Sequence, residues 1–93
     1  MKIQGEILKV QDLEVFSSGK RKQSIVIGTY ESPQREFEIH FYDENIYQLE
    51  KLNMRDHVII QFTLNSEVFE DDSGKSYFTH MIGIKILEYK RFH

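Results

Sequence analysis

A chain of 93 residues with 40 % hydrophobic content, one proline and no low-complexity tract has the dimensions of one domain, residues 1–93, with a single modest core. The absence of cysteine excludes a disulfide framework, a thiolate zinc site and a cysteine nucleophile. The net charge of −3 is segregated: residues 1–30 and 73–93 are net basic, and residues 31–72 hold most of the acid, a balance unlike the overall basicity of a dedicated polyanion binder.

The opening MKIQGEILKV lacks the apolar run of a signal peptide, and no stretch approaches the roughly 18 apolar residues of a membrane span. The expectation is a soluble cytoplasmic protein with no membrane partner. Ile3, Gly5 and Ile7 share one phase while Leu8 and Val10 share the other. A strand that shifts phase beside a glycine contains a bulge or sharp coil, and it can turn a corner and pair on both sides. The loop that follows, FSSGKRKQ, sets Lys20, Arg21 and Lys22 after a Ser-Ser-Gly turn, either as a solvated hairpin tip or as a grip for phosphate.

Period-two patterning then dominates. Ile25 and Ile27 alternate with polar residues in 23–29, as do Phe37, Ile39 and Phe41 in 37–41, and YESPQRE between them reads as a turn. Pairing Thr29 with Phe37 sets Ile27 opposite Ile39 and Ile25 opposite Phe41. Lys22, Ser24, Tyr30, Glu36, Glu38, His40 and Tyr42 fall on the other face. DENIYQLEKL, 43–52, is the single helix expected, with Asp43 as N-cap and Ile46 and Leu49 on its apolar side.

Two long strands close the chain. Val58, Ile60, Phe62 and Leu64 share one parity, and so do Phe78, Ile82, Ile84 and Ile86, with EDDSGK between. Pairing Phe69 with Tyr77 places Leu64 opposite Ile82, Phe62 opposite Ile84 and Ile60 opposite Ile86, whereas a one-residue slip strands Ile82 and Ile84 on the polar face. The first register is expected, in a hairpin projecting beyond the core. The order is strand, strand, strand, helix, strand, strand. It fits an all-β fold with one short helix: a five-stranded OB-fold Greek-key barrel, helix between the third and fourth strands.

Several stretches carry a family resemblance: MKIQGEILKV, SGKRKQSIVIGTY, RDHVIIQF and SYFTHMIGIKI. Together they resemble a small bacterial OB-fold family of unknown function, distantly similar to single-stranded DNA-binding and primosomal OB-fold proteins. Gly19-Lys20 and Lys22-Gln23 match the start of its second strand, and Phe69, Tyr77 and Phe78 match the aromatic last hairpin. Arg55 stands where many OB domains have the glycine of a Gly-Asp turn. No tryptophan is present where that hairpin commonly has one, and Glu36 follows Arg35 where the pattern is more basic.

OB domains usually bind oligonucleotides on the face of the second and third strands and the loops flanking it. On that basis the nucleic-acid-binding candidates are Lys20, Arg21, Lys22, Tyr30, Arg35, Tyr42, Lys75 and Tyr77, with Phe69 adjacent. Basic groups neutralise phosphates and rings stack exposed bases, so single-stranded DNA or RNA is the ligand expected. Bland alternatives stand beside this: Tyr30 and Tyr42 capping the barrel or filling a dimer contact, and Phe69 with Tyr77 forming a cross-strand pair. Glu38 and His40 lack a third convergent ligand for a metal, and His80 reads as half-buried beside Ser66. The acidic turn lacks the order of an EF-hand loop, and the five glycines form no phosphate-binding fingerprint. The reading is a non-enzymatic binding module with no catalytic residues, cofactor or metal. Its alternative is a protein-interaction or homo-oligomerising OB module, a homodimer for example, using Val26, Ile59, Met81 and Leu87.

Overall fold

The structure is a computed structural model, and it describes residues 1–92. Six strands form in chain order: β1 (Lys2–Val10), β2 (Glu14–Val15), β3 (Arg21–Gly28), β4 (Glu36–Tyr42), β5 (His57–Asp71) and β6 (Gly74–Lys90). One 3-10 helix, Asp43–Leu49, lies between β4 and β5. The sheet order β1-β5-β6-β4-β3-β2, with β1 also paired to β3, closes a ring of five long strands, and β2 is a two-residue annex on β3. This is the five-stranded barrel with one short helix that the patterning predicts, and its third and fourth strands are β4 and β5.

The expected corner in the first strand is present. Ile7 opposes Ile27 while Lys9 opposes Val26, so Leu8 is the extra residue of a bulge. Residues Lys2–Glu6 pair with β5 and residues from Glu6 onward pair with β3. Gly5 sits where the two halves meet, and a Cβ there would strike the Gly28 carbonyl. Inside the ring, Ile7, Ile25, Ile27, Ile39, Phe41, Val58 and Ile60 are fully buried. Each contributes about 1.5–3 kcal/mol by leaving water. Ile46, Leu49 and Leu52 close one end of that core.

Two expected registers need correction. Between β3 and β4 the partners are Ile27 with Phe37 and Ile25 with Ile39, two residues away from the expected pairing. A two-residue slip keeps every side chain on its face, which is why alternation does not detect it. In the β5–β6 hairpin, Ile60 opposes Ile86 as expected. Beyond it, Phe62 opposes Gly83 and Leu64 opposes Met81, after irregularities at Ile59/Ile60 and Gln61/Phe62.

Local chemistry explains the slip. A Cβ on Gly83 would overlap three ring carbons of Phe41, so the Phe41 ring fills the space that a side chain at 83 would occupy. The Gln48 amide reaches from the helix to β6, donating to the Ile84 carbonyl at 3.1 Å and accepting from the Ile86 N–H at 2.9 Å. Backbone groups at the irregularity are thereby satisfied, and Ile84 is left exposed.

The helix also departs from expectation, in length, type and cap. Ile46 and Leu49 are three residues apart, one turn of a 3-10 helix, so both still face the core. Asp43 is not its N-cap: at φ 48° it directs Oδ1 to the backbone N–H of Arg21, 3.0 Å away, tying the helix start to the start of β3. Arg55 occupies the left-handed region at φ 73°, the conformation for which glycine is suited at that turn. From about residue 63 to residue 79 the β5–β6 hairpin leaves the barrel as an exposed arm, and the molecule extends 52 Å along its longest axis.

Candidate nucleic-acid interface

On the outer face of β3 and β4, Lys22 opposes Tyr42, Ser24 opposes His40, Val26 opposes Glu38 and Gly28 opposes Glu36. The face is therefore graded along its length, basic and aromatic at the Lys22 end and acidic at the Glu36 end. The basic run is not a floppy tip. Glu14 and Val15 of β2 pair with Lys22 and Arg21, the Phe16 N–H donates to the Lys20 carbonyl at 2.8 Å, and Gly19 turns the chain at φ 89°.

Within that small hairpin the three cations differ. Lys20 Nζ lies 4.7 Å from the centroid of the Tyr42 ring, a cation–π contact that holds both at the rim. Lys22 Nζ is 3.3 Å from Glu14 and partly neutralised. The Arg21 side chain is exposed and has no ion pair among the described residues.

The arm supplies the opposite wall. Cross-strand pairing puts Asn65 with His80, Glu67 with Phe78 and Phe69 with Ser76 on one side of it, and Leu64 with Met81, Val68 with Tyr77 and Glu70 with Lys75 on the other. The first side faces β3 and β4 across an open cleft of about 360 Å³, lined by Lys22, His40, Tyr42, Glu67 and His80 among others.

At the cleft floor, His40 is buried, with Nδ1 2.6 Å from Ser24 Oγ and Nε2 3.5 Å from Glu38. Burial lowers its pKa from the ordinary imidazole value. Glu38 works against that shift, while Lys22 and His80 add to it. His80 stands edge-on to His40 at 5.5 Å, with Nε2 3.6 Å from Glu67, so its neighbours are these groups and not Ser66. Glu38 also accepts a hydrogen bond from the Gln11 amide at 2.9 Å. No three acids and histidines converge to hold a metal ion among the described residues.

Farther out, Phe69 and Phe78 pack edge to face at 5.4 Å, both about half exposed, on the same side of the arm as His80. The expected Phe69–Tyr77 pair does not form, because the register puts these rings on opposite sides. Phe78 is the aromatic that the sequence reading misplaced, since the irregularities in β5–β6 reverse its parity.

The eight sequence candidates thus divide into three places. Lys20, Arg21, Lys22 and Tyr42 gather at one end of the β3–β4 face. Tyr30 and Arg35 lie beyond the other end, about 25 Å away along β3. There the Tyr30 hydroxyl meets His57 Nδ1 at 2.7 Å and Arg35 Nε pairs with Glu31 at 3.5 Å. Lys75 and Tyr77 are on the reverse side of the arm.

Residues 2–87 match the family described as a domain of unknown function, DUF3127. The chain belongs to this family. No curated protein matches this DUF3127 chain. Its fold is similar to two crystal structures of the mitochondrial single-stranded DNA-binding protein Rim1 from S. cerevisiae. The selenomethionine-labelled one has a TM-score of 0.67 at 21 % identity, covering 95 % of this chain and 93 % of that one. The other has a TM-score of 0.62 at 20 % identity, covering 92 % and 89 %. At such identity the likeness establishes the OB fold of this DUF3127 chain.

Proposed function

We propose that the protein is a non-enzymatic module that binds single-stranded nucleic acid weakly and in a salt-sensitive way, in the cleft between the β3–β4 face and the arm. The observation that carries this reading is that Lys22 and Tyr42 line the cleft with Lys20 and Arg21 in the adjoining turn, while Phe69 and Phe78 extend the side of the arm that faces it. Cations there meet phosphates, and exposed rings stack bases at about 1–3 kcal/mol each. The two similar structures are of a single-stranded DNA-binding protein, which favours the same ligand class. Glu38 and Glu67 line the cleft and oppose a phosphate chain, so affinity stays modest. Fluorescence anisotropy of a labelled oligo-dT at low and moderate salt tests the reading. Binding lost in a Lys20/Arg21/Lys22 triple alanine variant supports it, and no binding at low salt refutes it.

A second reading, association between copies of the chain, is favoured by the reverse side of the arm. Leu64, Val68 and Tyr77 form an exposed apolar stripe there. Val26, Ile59 and Met81, expected to serve this role, are partly covered instead. Sedimentation analysis separates the readings: Val68→Glu abolishes a dimer formed through the stripe and leaves oligo-dT binding intact.

A further inference from the structure

The end of the barrel remote from Lys20 holds a second cleft, of about 270 Å³, that the nucleic-acid reading does not use. It joins residues far apart in the chain: Glu6 of β1, Tyr30 after β3, Arg55 and His57 at the start of β5, and Lys90, Arg91 and Phe92 at the end of β6. Tyr30 stacks on His57 with centroids 5.6 Å apart and planes 15° apart, and it stays more than half exposed. Its free face and the exposed Phe92 ring offer two flat apolar surfaces. Arg55, Lys90 and Arg91 bring three cations.

The framework under these groups is rigid. Asp56 is buried, its Oδ1 accepting the Phe92 N–H and its Oδ2 the Asn53 N–H, both at 2.9 Å. The Arg55 N–H donates to the Ile7 carbonyl, and the Ile7 N–H to the Asp56 carbonyl. The turn before β5 and the segment after β6 are thus pinned together and to β1.

Arg55 itself is held at φ 73°, where an L side chain costs about 1–2 kcal/mol and glycine does not. Its guanidinium pairs through Nε with Glu6 and lies 5.3 Å from the Phe92 ring centroid. A strained backbone that presents an arginine in a cleft points to a role for the side chain.

From this geometry we infer that the cleft binds a nucleoside phosphate, its base against Tyr30 or Phe92 and its phosphate between Arg91, Lys90 and the outer edge of Arg55. At about 270 Å³ the cleft lies just under the roughly 300–1,000 Å³ of small-molecule pockets, so it holds at most one nucleotide, partly open to solvent, and is too small for a dinucleotide cofactor. Glu6 is engaged with Arg55 and Glu88 is 3.9 Å from Lys90, while Arg91, beside Tyr89 and the Asp56 carboxylate, forms no ion pair within 4 Å among the described residues. The nucleotide comes either free or as the phosphorylated end of a strand, and both present the same chemistry. This site is independent of the β3–β4 cleft.

The test is an NMR titration of the whole chain with adenosine 5′-monophosphate, inorganic phosphate, and oligo-dT carrying either a 5′-phosphate or a 5′-hydroxyl. The expected result is saturable shifts at the amides of Arg55, His57 and Phe92 with the monophosphate, at least fivefold tighter than with inorganic phosphate. Arg91→Ala weakens them at least fivefold. Arg55→Gly, which suits the backbone, does the same while the melting temperature is kept. The Lys20/Arg21/Lys22 triple alanine variant leaves them unchanged, so failure of the strand-binding reading is distinguishable from failure here. Tighter binding of the 5′-phosphorylated oligomer than of the monophosphate identifies a strand end as the source, and the reverse order identifies a free nucleotide. No shifts at millimolar monophosphate, or equal binding of inorganic phosphate, overturns the inference.

Discussion

Gly83→Ala is a direct probe of the corrected β5–β6 register. Elsewhere in a strand, alanine in place of glycine stabilises by about 0.4–1 kcal/mol, because it restricts the unfolded chain. At 83 the added Cβ meets three ring carbons of the fully buried Phe41, and small-to-large changes in a packed core cost about 1–3 kcal/mol. The sign of the effect therefore reports the position of Gly83. For a domain of this size, a loss of 1 kcal/mol lowers the melting temperature by about 4–8 °C, easily read by thermal or urea unfolding monitored by circular dichroism. In a Phe41→Leu background the cost of Gly83→Ala falls by about 1 kcal/mol or more, since the obstructing ring is gone. A neutral or stabilising Gly83→Ala, or the same cost in both backgrounds, refutes the packing of Gly83 on Phe41.

Other expectations follow from the same contacts. Gln48→Ala removes two hydrogen bonds to the β6 backbone and costs about 1–3 kcal/mol in urea unfolding. Asp56→Ala leaves the Asn53 and Phe92 amides without their carboxylate and costs about 2–5 kcal/mol. Burial raises the Asp56 pKa, but the amides of Phe92 and Asn53, the Tyr89 hydroxyl and Arg91 outweigh it and hold the carboxyl below its ordinary value. Its contribution is thus complete above an unfolded value of about 3.9 and is lost as pH falls through the lower folded value. His40 is also held low by burial, so the unfolded chain takes up its proton first. Stability falls as pH drops from about 6.5 toward the folded value, and urea midpoints for His40→Gln lose that part of the slope.

The barrel was legible because the strands that close it turn one apolar face inward, and alternation reports faces directly. Ile25, Ile27, Ile39, Phe41, Val58 and Ile60 all lie inside as their parity requires. Register was not legible to the same degree, since a shift of two residues between β3 and β4 leaves every face unchanged. The β5–β6 irregularities depend on Gly83 meeting Phe41 and on Gln48 reaching Ile84 and Ile86, contacts between distant segments that strand periodicity does not encode. Their consequence for the candidate site is the reversal of Phe78 and Tyr77. The basic run 20–22 was legible because it is contiguous. The cleft at Tyr30, Arg55 and Phe92 was not, because only closure of the barrel brings those residues together.

Salt-sensitive binding of a single strand beside the Lys20–Lys22 turn is read out by the salt dependence of oligo-dT anisotropy for the wild type and the triple alanine variant. Three phosphate contacts on a single strand give a log–log slope of about −2, or a loss of roughly twentyfold in affinity between 50 and 200 mM salt. The wild type is expected to show that slope, and the variant a slope near zero with weak residual binding. Equal slopes and equal affinities for the two proteins contradict it.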